Sequence, residues 1–422
     1  MIMPRALPSG LWGLYIRLTI LLRPLVLWNI KRRLQKGKED AKRVSERYGI
    51  ATHARPEGPL IWLHAVGLGE VMALRGMIPI LSQHCPDAHF LVTSGTRQSA
   101  DVFSQNLPEC TLHQYLPLDV SGYCKAFLAH WKPDLCIWSE QELWPNMIWH
   151  VDQSGIPQVI INARMNAASF QSRHQAKGMF ADIYGRFALI SAQDEQTAAH
   201  ISSLGATVQV DGSLKPLAPA LQVDQAKFET RKAQIGERPV LCLASSHPAD
   251  EDLALSTLGE LSPETLLIIV PRRVERSAEI ADKIETAGFS HSVGDGPIHK
   301  ATRVHLVDQV GQLGLWYRLC SYAFIGGGFD ETQGHNPWEA VTLNRRVFHG
   351  PNTANFKRDY ENLNALGIAL QITSAADLVA SIKITEPLLD AKQRYLAVDQ
   401  AVKDLDKLGQ DIIAIMDRVR AS

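Results

Sequence analysis

From residue 58 onward, short apolar runs alternate with stretches of helical length. The runs "PLIWLHAV" (59–66), "HFLVTSG" (89–95), "DLCIWSE" (134–140), "QVIINAR" (158–164) and "ALISAQ" (188–193) read as strands. Between them lie segments such as "EVMALRGMIPILSQHC" (70–85), long enough for a helix packed on a sheet. Repeated strand–helix units predict a parallel sheet. A second series follows with the same rhythm: "PVLCLASSH" (239–247), "TLLIIVPRR" (265–273), "VHLVD" (304–308), "YAFIGGG" (322–328) and "RVFHGP" (346–351). The Pro- and Ser-rich "DGSLKPLAPALQVD" (211–224) separates the two series and reads as a linker. The pattern therefore predicts an α/β protein with two similar domains, at 46–212 and 213–422. Ligands of such sheets bind outside the carboxyl ends of the strands, so two domains can face one ligand across a cleft.

The first 45 residues follow a different pattern. "LWGLYIRLTILLRPLVLWNI" (11–30) is rich in Leu, Ile and Trp, but Arg17 and Arg23 interrupt it and Pro24 predicts a kink. An arginine at bilayer depth costs ~2.5–3.5 kcal/mol on insertion scales, which disfavours a simple span. The basic "KRRLQKGKEDAKR" (31–43) follows directly, where each cation near an anionic surface adds ~1 kcal/mol. Residues 1–45 are thus expected to form a shallow, retained membrane anchor rather than a cleaved signal. A buried helix capping the first domain is the alternative.

Composition narrows the partners. The 422 residues exceed the roughly 250–300 that one core usually supports, in keeping with two domains. A net charge of −1 with 21% charged residues leaves no global basic field, so no nucleic-acid partner is expected. Cys85, Cys110, Cys124, Cys136, Cys242 and Cys320 lie far apart without a CxxC pair, which predicts reduced thiols rather than a disulfide frame or zinc site.

The unusual residues fall at predicted strand ends. In "HAVGLGEV" (64–71), Glu70 opens a helix after two glycines. Its spacing allows a helix cap as readily as a general base. "SEQELWPN" (139–146) sets Glu140 and Glu142 two apart after a strand, so both can face one cavity, which suits sugar chemistry through an oxocarbenium-like state. A solvated acidic turn stopped by Pro145 fits the same letters. "SSHPADED" (245–252) reads as ordinary capping, and its "DED" is not taken as a metal motif. Arg272 in "PRRVER" (271–276) offers a fork for phosphate, while the glycines of "VDQVGQL" (307–313) and "GGG" (326–328) let backbone amides approach a ligand. In "GHNPWEA" (334–340), Pro337 as first helical residue would make Asn336 the N-cap, the helix end would accept a phosphate, and Glu339 would bond a ribose.

Taken in order, "WLHAVGLGEV", "SEQELWPN", "INAR", "GSLK", "PRRVER" and "FIGGGFDETQGHNPWEA" resemble the Kdo transferases of Gram-negative bacteria over most of the chain. These enzymes move 3-deoxy-D-manno-octulosonic acid (Kdo) from CMP-Kdo onto a lipid A precursor in lipopolysaccharide synthesis. The resemblance implies a GT-B fold of two Rossmann-like domains, an inverting mechanism with no metal or other cofactor, and a site on the cytoplasmic side of the cell inner membrane. It also implies roles: Glu70 as general base, Glu140 and Lys215 as stabilisers of the transition state, and Pro271, Arg272, Val310, Gly311, Gln312, Asn336, Pro337, Trp338 and Glu339 as the CMP site. The sequence departs from the family pattern at "GLGE", "GSLK", "PRR" and "VGQL", where "SVGE", "GNLK", "PRH" and "MGEL" are usual. Another GT-B enzyme, a UDP-sugar transferase or epimerase, is the alternative.

Overall fold

Both series of apolar runs form sheets in the computed structural model, which describes residues 8, 10–104, 107–140, 143–386 and 388–421. The chain divides into one unit of Met1–Pro219 with Ala401–Ser422, and another of Ala220–Gln400. The expected linker spans that division at 219/220. The expected C-terminal domain ran unbroken from 213 to 422, whereas 213–219 and 401–422 belong to the first unit.

In the first unit, β1 (Leu60–His64), β2 (His89–Ser94), β3 (Thr111–Tyr115), β4 (Leu135–Ser139), β5 (Gln158–Ala163), β6 (Leu189–Ala192) and β7 (Gln209–Val210) form one sheet. Their order is β3-β2-β1-β4-β5-β6-β7, and all pairs are parallel. Successive side chains point to opposite faces. Thus Trp62, Cys136, Trp138 and Ile160 join one core with the helices Ser121–Trp131 and Pro145–Gln153. Ile61, Leu63, Ile137 and Ile161 join the other with the helix Leu68–His84. The helix Ala391–Arg420 ends on that second face through Leu405, Leu408 and Ile412, and Asp406 accepts a 2.9 Å contact from His84.

The second unit repeats the principle with β8 (Val240–Ser246), β9 (Leu266–Pro271), β10 (His291–Val293), β11 (Val304–Leu306), β12 (Tyr322–Ile325), β13 (Val347–His349) and β14 (Ala369–Gln371). The order is β10-β11-β9-β8-β12-β13-β14, again all parallel. The fold class is therefore as the sequence predicts: α/β, in two Rossmann-like units.

The amino-terminal stretch forms two helices, Gly10–Leu21 and Arg23–Gln35, bent by 64° where Pro24 starts the second. One face is docked: Trp12 is fully buried against Trp149, its Nε1 donates to the Pro145 carbonyl at 3.2 Å, and the Tyr15 hydroxyl donates to Asp119 at 3.0 Å. The other face leaves Leu11, Leu14, Leu18, Leu21, Leu25 and Trp28 exposed. Among the described residues no single helix is long and apolar enough to cross a membrane. All six cysteines are free.

Candidate functional site

In the first sheet the strand order reverses between β1 and β4, which separates the loops that follow them and opens a crevice at their carboxyl ends. Glu70 and Glu140 follow these two strands. The helix Leu68–His84 begins directly after β1, and Glu70 in its first turn accepts the Val66 and Gly67 amides on Oε2, both at 3.1 Å. Oε1 has no protein partner among the described residues. The loop itself is pinned by Ser99, whose hydroxyl donates to the Val66 carbonyl at 3.0 Å. Beneath it His64 is fully buried, and that burial lowers its pKa to about 3, so the ring is neutral. Its Nδ1 lies 2.9 Å from the Thr93 hydroxyl. Its Nε2, Ser139 Oγ and Trp144 Nε1 are buried without partners among the described residues.

Glu140 stands at φ +59°, a left-handed conformation that a side chain seldom adopts. Its amide is fixed by the Ile161 carbonyl at 3.0 Å. Across from it Asn162 is also left-handed, at φ +56°, where the β5–β6 register breaks. Asn162 Nδ2 lies 3.5 Å from Glu140 Oε1, and Asn162 Oδ1 accepts the Leu214 amide at 3.0 Å. Leu214 precedes Lys215, the first residue of a short 3-10 turn. One buried amide thus links Glu140 to the backbone just before Lys215, while Glu70 lies in the first turn of the helix that follows the neighbouring strand β1. Glu142 lies outside the described residues. Asn162 carried no role in the reading of the sequence, although "INAR" was a visible motif, because an asparagine ending a strand looks like any turn residue.

The second unit collects its candidates at the ends of the four neighbouring strands β11, β9, β8 and β12. Pro271 closes β9, and the amide of Arg272 donates to the Ser246 carbonyl at 3.2 Å, leaving the guanidinium exposed. After β11, Val310 is 77% exposed, Gly311 takes φ +86° and Gln312 stands just before the helix Leu313–Leu319 without a side-chain bond to it among the described residues. After β12, a side chain at Gly328 would meet the backbone of Gly350 at 2.7 Å, so the triple glycine permits close chain approach.

Around that glycine loop the "DED" acids are committed. Asp250 accepts the Gly327 amide at 2.7 Å and the His247 amide at 3.0 Å, and burial raises its pKa to about 6. Glu251 is buried in an ion pair with Arg276 at 2.9 Å. His247 and His335 face each other with Nε2 atoms 2.9 Å apart, one donating and one accepting. Burial lowers both, His335 to about 4, so the pair is neutral near pH 7.

Two expectations for "GHNPWEA" need correction. The helix is a single turn, Trp338–Val341, with Pro337 at its N-cap position. Asn336 still caps it, its Oδ1 accepting the Trp338 amide at 3.1 Å. So few aligned peptides make a weak dipole, and the helix end is not a phosphate site by itself. Trp338 is buried in the core, its Nε1 donating to Asp359 at 2.8 Å, which leaves only its backbone for a ligand. Glu339 remains partly exposed beside them.

Two parallel sheets, each carrying acids or an arginine and glycine turns at the carboxyl ends of its strands, are the fold of the GT-B class of nucleotide-sugar enzymes. A glycosyltransferase from Rickettsia africae shares this fold, with a TM-score of 0.55, 9% identity, and coverage of 86% of this chain and 99% of that one. So does the UDP-GlcNAc 2-epimerase of Neisseria meningitidis, with a TM-score of 0.54, 14% identity, and coverage of 86% and 100%. At sequence level, residues 42–218 match the 3-deoxy-D-manno-octulosonic-acid transferase (kdotransferase) family model. The 3-deoxy-D-manno-octulosonic acid transferase of Rickettsia bellii is 33% identical over 384 residues, covering 89% of this chain and 90% of that protein. The chain belongs to the 3-deoxy-D-manno-octulosonic acid transferase family, and it is a glycosyltransferase.

Proposed function

We propose that this enzyme transfers Kdo from CMP-Kdo to a hydroxyl of a lipid A precursor, with inversion and without a metal or other cofactor. The observation that carries the reading is Glu70 in the first turn after β1, held by two backbone amides on Oε2 while Oε1 has no partner among the described residues. A sugar hydroxyl has a pKa far above 7, so a positioned base contributes on the order of 10²–10⁴ in rate. Glu70 takes the hydroxyl proton as the acceptor oxygen bonds to the anomeric carbon. The bond from that carbon to the phosphate oxygen breaks on the opposite face, and CMP leaves with the electron pair. Glu140 stabilises positive charge developing on the sugar ring. Lys215 pairs with the sugar carboxylate or the phosphate. Arg272 meets the phosphate charge that grows as the bond breaks, an electrostatic contribution that is often the largest in catalysis. Pro271, the backbone of Val310, Gly311 and Gln312, and the Asn336–Glu339 turn hold the nucleotide, with Glu339 on the ribose.

The acceptor is a lipid, and the exposed apolar face of Gly10–Gln35 beside exposed Lys31, Arg32, Lys36 and Lys38 suits a shallow seat on an anionic leaflet. The enzyme works there, on the cytoplasmic side of the inner membrane. Incubation of the purified protein with CMP-Kdo and lipid A precursor, followed by mass measurement of the product, tests the whole reading. Mass gain by whole Kdo units is expected; turnover of a UDP sugar and none of CMP-Kdo would overturn it.

A further inference from the structure

Two left-handed, non-glycine residues face each other at the ends of neighbouring strands β4 and β5, and neither conformation is needed to continue a sheet. Each costs free energy, and such residues persist where the surroundings hold them for a purpose. Asparagine tolerates this conformation better than most residues, which accounts for its type at 162. It does not account for the side chain. That amide is 1% exposed and its two ends go to different places. Nδ2 reaches toward Glu140 Oε1 at 3.5 Å, long for an amide–carboxylate bond and with room to tighten. Oδ1 takes the amide of Leu214 at 3.0 Å. The Asn162 carbonyl is tied down as well, by Gln193 Nε2 at 2.9 Å. Both ends of the amide are therefore assigned, and the group cannot flip without losing both bonds.

We propose that Asn162 is a positioning residue that sets the Glu140 carboxylate and the Leu214–Lys215 backbone in one frame. It touches neither substrate nor reacting atom. It acts by fixing the distance between an acid and a cation that approach from different strands, β4 and the segment after β7. A donor sugar with both a ring that gains positive charge and a fixed carboxylate needs those two charges at a set separation. A misplacement of about 1 Å at such a site costs on the order of a hundredfold in rate. The inference rests on the roles proposed above for Glu140 and Lys215.

The test is a double-mutant cycle on the full-length enzyme with CMP-Kdo and lipid A precursor. Asn162→Gly keeps the left-handed backbone and removes the amide; Asn162→Asp keeps the shape and the acceptor for Leu214 but replaces the donor that faces Glu140. Both are expected to lower kcat by about tenfold or more, with KM for the donor and CMP affinity within about twofold of wild type. In a Glu140→Gln background, Asn162→Gly should cost clearly less than in the wild type, because the part of its effect that runs through Glu140 is already lost and only the Leu214 arm remains. Full additivity, or a kcat within twofold of wild type in both single variants, overturns the inference. A kcat loss in Asn162→Asp that tracks a lowered melting temperature also overturns it, since that marks a residue needed only for folding. Unchanged kcat in Glu140→Gln, or no Kdo transfer by wild type, removes the functional reading itself.

Discussion

Glu70→Gln separates two roles that meet in one side chain. Oε2 of Glu70 accepts the Val66 and Gly67 amides at 3.1 Å each, so the residue caps its helix whatever else it does. Glutamine serves the same capping position, since its carbonyl oxygen accepts the same two amides. What changes is the strength: a hydrogen bond to a charged group contributes ~1.5–3 kcal/mol and a neutral one ~0.5–1.5, both smaller where water competes. Glu70 is partly exposed, so the expected loss of stability is below ~1 kcal/mol. The loss of the base is far larger, about a hundredfold or more in kcat. CMP affinity should be unchanged, because the residues assigned to the nucleotide lie in the other unit. Glu70→Ala is the control: it removes both cap bonds and should cost ~0.5–2 kcal/mol of stability in addition to the rate. Turnover of radiolabelled or mass-resolved product, beside thermal unfolding of each variant, reads both axes. Near-normal turnover in Glu70→Gln would leave Glu70 as a cap and refute the assignment of the base.

Three other outcomes are expected. If Glu339 bonds the ribose, Glu339→Ala removes a charge-assisted bond of ~1.5–3 kcal/mol and weakens CMP roughly ten- to a hundredfold by titration calorimetry; unchanged affinity sinks that role. Leu21→Asp with Leu25→Asp, both at exposed positions, should release the protein from anionic vesicles and lower turnover of membrane-embedded acceptor more than of detergent-dispersed acceptor, whereas equal losses would count against an anchor. For Asp250, burial raises the pKa from 3.8 to about 6, so its stabilising effect is complete below about pH 4 and is lost as pH rises through about 6. Asp250→Asn should therefore recover up to ~3 kcal/mol in urea unfolding near pH 7 and little near pH 4, and an equal change at both pH values would contradict the sign.

How much of this was legible in the chain follows from where each strand sits. The five apolar runs read in each half are the five interior strands of each sheet, and the strands missed are the edges β3, β7, β10 and β14. An interior parallel strand is buried on both faces and shows as a continuous apolar run. An edge strand such as "TLHQY", "QV", "HSV" or "ALQ" is short or mixed, and its pairing comes from its neighbour rather than its own letters. The same logic divides the site. Glu70, Glu140 and Arg272 were visible because a strand end predicts where a side chain emerges. The Asn162 link was not, because it joins residues 22 and 52 positions away in sequence. The return of 401–422 to the first unit was invisible for the same reason: a long amphipathic helix states which face it buries, not against which sheet.

Spacing alone leaves a structural and a functional role open for Glu70 and Glu140, and the contacts make the two compatible rather than exclusive. A carboxylate that is to act as a base must be held still without losing its reactive oxygen. Two backbone amides on Oε2 of Glu70, those of Val66 and Gly67 just ahead of the helix, meet that requirement. Asn336 likewise caps a turn in which Trp338 is buried, its indole donating to Asp359 at 2.8 Å, and Glu339 is partly exposed. Capping is therefore no argument against a catalytic or binding role for these side chains. At Glu140 and Asn162 the backbone itself, left-handed at both residues, sets the direction in which each side chain leaves the chain, and a functional role for the acid would give that strain a reason to persist.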